Sequence, residues 1–127
     1  TSSGESILLV EDEATVRLVV ADLLSEIGYQ VTQAENAPEA LKLLERLPDL
    51  HMLITDVGLP GMDGRQLAER VLASRPRAKV LFMTGYAERA VSSAELLTSG
   101  AQMIVKPFAV ETFAETVRKA LDSGTAP

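Results

Sequence analysis

The chain has 127 residues, a net charge of −6 and a sequence pI of about 4.7, a balance that repels a phosphate backbone and argues against direct binding of DNA or RNA. The absence of cysteine excludes a disulfide framework and thiolate metal sites and fits a cytoplasmic location. No apolar run approaches the ~18 residues of a membrane span, so no membrane insertion is expected, and ordinary globular proportions (46% hydrophobic, 24% charged) point to one domain over 1–127.

Order is expected from about residue 5 to 122, with polar tails at Thr1–Gly4 and Ser123–Pro127; the start at Thr1 rather than Met suggests a domain cut from a longer protein. Ile7–Val10 is a short apolar run that leads into Glu11 and Asp12. Behind it, Val16, Val19, Val20, Leu23, Leu24 and Ile27 recur at helical spacing, and Gly28 stops the helix. Tyr29–Ala34 reads as a second strand, and Asn36-Ala37-Pro38-Glu39 as a capping box opening a helix with Leu41, Leu44 and Leu47 on one face, ended by Pro48. Met52–Thr55 leads into Asp56, followed by the Gly58–Met62 loop and a second capping box, Asp63-Gly64-Arg65-Gln66, ahead of a helix carrying Leu67, Val71 and Leu72. Val80–Met83 leads into Thr84, and a weaker helix is expected over Ala87–Ser99. Met103–Val105 leads into Lys106 and Pro107, and the last helix aligns Val110, Phe113, Val117 and Leu121.

Short apolar runs alternating with helices predict an α/β fold, (βα)5, with a doubly wound five-stranded parallel sheet covered on both faces. The flavodoxin-like strand order 2-1-3-4-5, borrowed from known doubly wound folds, sets Asp12 and Asp56 at the switch point, where ligands bind outside the carboxyl ends of the strands. Glu11, Asp12, Asp56, Thr84 and Lys106 then meet at one edge. Each alone has a dull explanation: Asp12 as a helix cap, Asp56 as a turn residue, Thr84 as a β-branched strand end, Lys106 as a solvated charge. Together they suit phosphoryl chemistry. Crowded carboxylates need a cation, and oxygen ligands without histidine or cysteine favour Mg²⁺. Lysine and threonine supply a positive charge and an O–H donor for phosphoryl oxygens, and a carboxylate such as Asp56 can form an acyl-phosphate.

From Leu9-Val10-Glu11-Asp12-Glu13 through Asp56…Leu59-Pro60-Gly61-Met62-Asp63-Gly64 to Lys106-Pro107-Phe108, the chain resembles the receiver domain of two-component response regulators. The Phe82–Glu88 stretch resembles receivers attached to hybrid sensor kinases. The resemblance implies that Asp56 accepts phosphate from a histidine kinase or histidine phosphotransfer protein and that the domain switches conformation to relay the signal. It also implies Mg²⁺ held by Asp12, Asp56 and the Gly58 carbonyl with Glu11 acting through water, a phosphoryl grip by Thr84 and Lys106, and a cis Lys106–Pro107 bond. No enzyme activity is expected beyond the domain's own phosphorylation and dephosphorylation.

Departures from the family pattern are Met103, where an aromatic residue is usual, Ala109, a poor cap for the last helix, and the pair Gly58 and Tyr86 at positions that tune phosphate lifetime. Three other functions compete. A haloacid-dehalogenase-type aspartyl-phosphate hydrolase needs a second aspartate where Gly58 stands. A mononucleotide binder needs a phosphate-cradling loop where Glu11-Asp12-Glu13 would repel phosphate. A phosphate-independent pseudo-receiver has no need of the full acid, threonine and lysine set. His51, away from the acid edge, is expected to be structural, and Met62, Met83 and Met103 to be core filler. Ala14, Leu18, Ala21 and Ser25 form a second helical stripe that sets Leu18 toward solvent; it is either a harmless exposed leucine or, as the resemblance implies for this helix, helps with Phe108 to dock the partner carrying the donor histidine.

Overall fold

Burial on both faces is what makes strands of the apolar runs: in the computed structural model, every residue of Ile7–Val10 and of Met52–Leu53–Ile54 is fully buried. The structure describes residues 4–59, 61–84, 102–106 and 108–122. Within them run β1 (Ser6–Val10), α1 (Ala14–Ile27), β2 (Gln30–Ala34), α2 (Ala37–Leu44), β3 (Met52–Asp56), α3 (Gly64–Ser74), β4 (Lys79–Thr84), β5 (Gln102–Val105) and α4 (Val110–Asp122). The helix expected over Ala87–Ser99 and the Lys106–Pro107 bond lie outside the described residues, as do the tails except for Gly4. All strand pairings are parallel and the sheet order is β2-β1-β3-β4-β5, as expected.

Period-two alternation sorts the strand residues into two cores. Leu8, Val10, Leu53 and Phe82 face α2 and α3, where they meet Ala37, Ala40, Leu44, Leu67 and Val71. Ile7, Leu9, Ile54, Leu81 and Met83 face α1 and α4, against Val20, Leu24, Phe113 and Val117. Met62 and Met103 pack against the first core and Met83 is buried in the second, so all three are filler.

Helix ends follow local chemistry. Gly28 takes φ +116°, a conformation open to glycine, and returns its N–H to the Leu24 and Ser25 carbonyls, ending α1. The capping box at Asp63 and Gln66 is reciprocal, as expected. The one at Asn36 is not. Asn36 Oδ1 accepts from the Glu39 N–H, but Glu39 Oε1 accepts from Glu35 one residue upstream. α2 also closes early, at Leu44 rather than near Pro48, because the N–H groups of Glu45, Arg46 and Leu47 bond three residues back and tighten the chain.

Three helix faces differ from expectation. Val19 is 62% exposed and Ala21 buried, because the buried arc of α1 is centred on Val20, Ala21 and Leu24, and Val19 lies ~100° to one side of Val20. Leu72 at 37% and Val110 at 56% exposure lie outside the covered stripes of α3 and α4, and Ala120 instead extends the buried face of α4.

Candidate functional site

The carboxyl ends of β1, β3, β4 and β5 bring the expected residues to one edge. Asp56 is the last residue of β3, buried to 7% exposure, and Thr84 is the last of β4. Beyond β5, the Lys106 N–H donates to the Thr84 carbonyl at 2.7 Å, which continues the ladder and fixes where the lysine leaves the sheet. Lys106 Nζ then bridges two carboxylates, Glu11 Oε1 at 3.2 Å and Asp56 Oδ2 at 3.3 Å. Carboxylate oxygens of Glu11, Asp12 and Asp56 all lie within 4.8 Å of one another, close enough to share one cation.

The cap residue of α1 is Glu13, with no side-chain cap bond, so Asp12 does not cap the helix. Lys106 is a paired, largely covered cation rather than a solvated one. Asp56 is more than a turn former, because its buried carboxylate pairs with Lys106. The Thr84 hydroxyl is buried and has no hydrogen-bond partner among the described residues, a costly state for a polar group with no ligand to meet.

Glu11 is held at every polar atom. Its N–H donates to the Ala34 carbonyl, its own carbonyl accepts from Arg17 Nη1 at 2.8 Å, Oε2 accepts from the Glu13 N–H, and Oε1 accepts from Lys106. Burial pushes the Glu11 carboxyl above the ordinary glutamate range, and the Asp56 charge beside it acts in the same direction. Burial alone would lower the Lys106 ammonium, but the Asp56 and Glu11 carboxylates outweigh it and hold its pKa above the usual lysine value. Among the described residues, Glu11, Asp12 and Asp56 thus crowd one partly desolvated edge, and Lys106 pairs with two of them. A divalent cation fits that donor set.

Two residues of the edge had no functional reading in the sequence. A Cβ added at Gly64 would collide with the Asp56 carbonyl oxygen, so glycine lets the start of α3 close on the end of β3, where the Gly64 N–H bonds the Val57 carbonyl. Its signal was present: a glycine just inside a helix start, against helix propensity. Arg17 gave no signal beyond its charge. Asp56 is also tied locally, with its carbonyl accepting from Thr55 Oγ1 at 3.0 Å and Oδ1 lying 3.4 Å from the Gly58 N–H. His51 is away from this edge and structural, its Nδ1 accepting from the Ser6 N–H at 3.0 Å.

The family model of the response regulator receiver domain matches residues 7–118. The sensor kinase CckA of Brucella abortus (strain 2308) is 34% identical over 122 residues, which cover 95% of this chain and 13% of that protein. The response regulator receiver protein CpdR of the same organism is 33% identical over 115 residues, 91% of this chain and 95% of CpdR. The chain thus spans a small part of one relative and nearly all of another. The crystal structure of the receiver domain from the hybrid histidine kinase CckA matches with a TM-score of 0.76 at 34% identity, covering 91% of this chain and 98% of that one.

Proposed function

The chain belongs to the response regulator receiver family, a signalling module rather than a classical enzyme, and from that premise we propose that Asp56 is its phosphoacceptor. Family members work with histidine kinases or phosphotransfer proteins, and the proposed donor is a phosphohistidine on such a partner. One observation carries the assignment: Asp56 is the buried carboxylate at the end of β3 that both pairs with Lys106 and shares a cation-sized space with Glu11 and Asp12.

In the proposed step an Asp56 oxygen forms a bond to phosphorus, the P–N bond of the donor breaks, and the imidazole leaves with the electron pair. Bound Mg²⁺, held by Asp12, Asp56 and the Gly58 carbonyl with Glu11 behind them, would offset charge on the phosphoryl oxygens. Lys106 gives up its contact with Asp56 and meets a phosphoryl oxygen, and the buried Thr84 hydroxyl, without a partner among the described residues, donates to another. Movement of Thr84 toward phosphate would begin the conformational switch. Met103, partly buried against the first core, stands where the family has an aromatic residue, so the change is expected to be read elsewhere than at a single ring. A hydrolase reading lacks its second acid, since Gly58 occupies that position. A phosphate-independent module leaves the Thr84 hydroxyl unexplained.

Acetyl phosphate with Mg²⁺ should add one phosphate to the intact protein by mass spectrometry, and Asp56→Asn should remove the label. Equal labelling of the variant overturns the assignment. Partner docking is proposed on α1, where Leu18 at 54% and Val19 at 62% exposure form an apolar pair on the helix that follows Asp12; a cytoplasmic partner fits the cysteine-free chain. Phe108, stacked on Phe113 at 4.9 Å, is partly committed to the fold and contributes less. Leu18→Asp should slow transfer from a cognate kinase and leave acetyl phosphate labelling unchanged, and unaffected transfer removes the docking site.

A further inference from the structure

Two of the three acids, Glu11 and Asp12, lie in the short turn between β1 and α1. Its helix-side residue, Glu13, makes no side-chain cap bond. The turn is fastened by the Glu11 N–H on Ala34, by the Glu13 N–H on Glu11 Oε2, and by Arg17 Nη1 on the Glu11 carbonyl at 2.8 Å. The third differs from the others because it reaches back from the second turn of α1 to the peptide unit that joins Glu11 to Asp12. A peptide unit is planar, so holding its carbonyl oxygen also sets the direction in which the Asp12 Cα leaves it. Guanidinium suits the task, being permanently charged with donors in a rigid fork.

We infer that Arg17 is a positioning residue: its bond to the Glu11 carbonyl orients the 11–12 peptide and so sets the affinity of the acid cluster for a divalent cation. The inference rests on the reading that Glu11, Asp12 and Asp56 bind Mg²⁺. Groups that orient metal ligands from behind typically cost ~10-fold or more in metal affinity when removed. A pure charge effect has the opposite sign, because removing a cation beside three acids tightens Mg²⁺ binding. A merely structural role moves stability and leaves affinity where it was.

The test is calorimetric titration of the whole chain with Mg²⁺ at constant ionic strength, together with urea unfolding of each variant. Arg17→Gln is expected to weaken Mg²⁺ binding about 10-fold, and Arg17→Lys, which keeps the charge and an N–H donor, to bind more tightly than Arg17→Gln. If Arg17→Gln does not fold, Arg17→Met keeps a long stem without donors and is read in the same way. Asp12→Asn serves as the reference for a lost ligand. No Mg²⁺ binding by the unaltered chain defeats the underlying reading whatever Arg17 does. Normal binding by the unaltered chain, weak binding by Asp12→Asn, and unchanged or tighter binding by Arg17→Gln overturn the positioning role alone.

Discussion

The two ends of the sheet spend their charges differently. At the amino ends of the strands, Arg118 pairs with Glu5 at 2.8 Å and with Asp122 at 3.3 Å, and its guanidinium lies 5.9 Å from the Tyr29 ring centre. Arg75 donates to the carbonyls of Leu44 and Leu47 at 2.8 and 2.9 Å and so satisfies the end of α2. Glu5, Arg75, Arg118 and Asp122 line an open cleft of about 650 Å³. At the carboxyl ends, Glu11 and Asp56 both pair with Lys106, Asp12 lies beside them, and the Thr84 hydroxyl has no hydrogen-bond partner among the described residues. One end closes helices and ties α4 to β1. The other gathers three carboxylates, a lysine and a buried hydroxyl in one place, and such clustering is what a ligand site requires.

Substitutions at the two ends should therefore separate stability from phosphoryl chemistry. The largest effect on stability is expected for Arg75→Ala, which removes the charged donor from two part-buried carbonyls, each left with one backbone N–H, and costs about 2 kcal/mol in urea unfolding, while acetyl phosphate labelling stays as it was. A comparable loss of labelling would mean that the two ends are coupled.

A smaller effect of opposite sign is expected for Asp12→Asn. Removing one of three crowded carboxylates should raise the melting temperature in Mg²⁺-free buffer and shrink the further rise that Mg²⁺ produces by binding the folded state. A lower melting temperature without Mg²⁺ would show that Asp12 is a structural group like those of the opposite end.

The smallest effect concerns pH. Because the folded Glu11 pKa is raised above 4.5, the folded state holds more protons than the unfolded one in the window from about 4.5 up to that raised value. The Glu11 contribution to stability is thus present below the window and lost as pH rises through it. Glu11→Gln should flatten that part of the stability profile in Mg²⁺-free buffer, and an unchanged slope would place its source elsewhere. The raised Lys106 pKa has the same sign in a different range, with stability lost only above about 10.5.

Much of this division was legible in the chain. The apolar runs marked the strands, and each ended on the polar residue that the structure places at the carboxyl edge, because buried parallel strands carry almost no polar side chains until they reach solvent. The reciprocal cap at Asp63 was legible for a similarly local reason, since its donors and acceptors lie within four residues. The failed reciprocity at Asn36 was not legible, because Glu39 had a second N–H within reach, at Glu35. The exposure of Val19, Leu72 and Val110 also escaped periodicity, which counts apolar residues but not how much of each helix the sheet covers.

What the sequence determined by itself was the set of elements among the described residues, the parallel α/β class and the chemical types gathered at one edge, all consequences of short-range periodicity and of backbone hydrogen bonding along strands. What only the tertiary structure decided was the state of each group there. Glu11 and Lys106 are 95 residues apart in the chain, Asp56 and Lys106 are 50 apart, and their pairing exists only because β1, β3 and β5 end at the same edge of one sheet. The same packing buried Glu11 and raised its pKa, left the Thr84 hydroxyl without a partner among the described residues, demanded glycine at position 64 and brought Arg17 onto the Glu11 carbonyl. The burial of Glu11 and its contact with Lys106 depend on neighbours remote in sequence, so no local pattern could have encoded them.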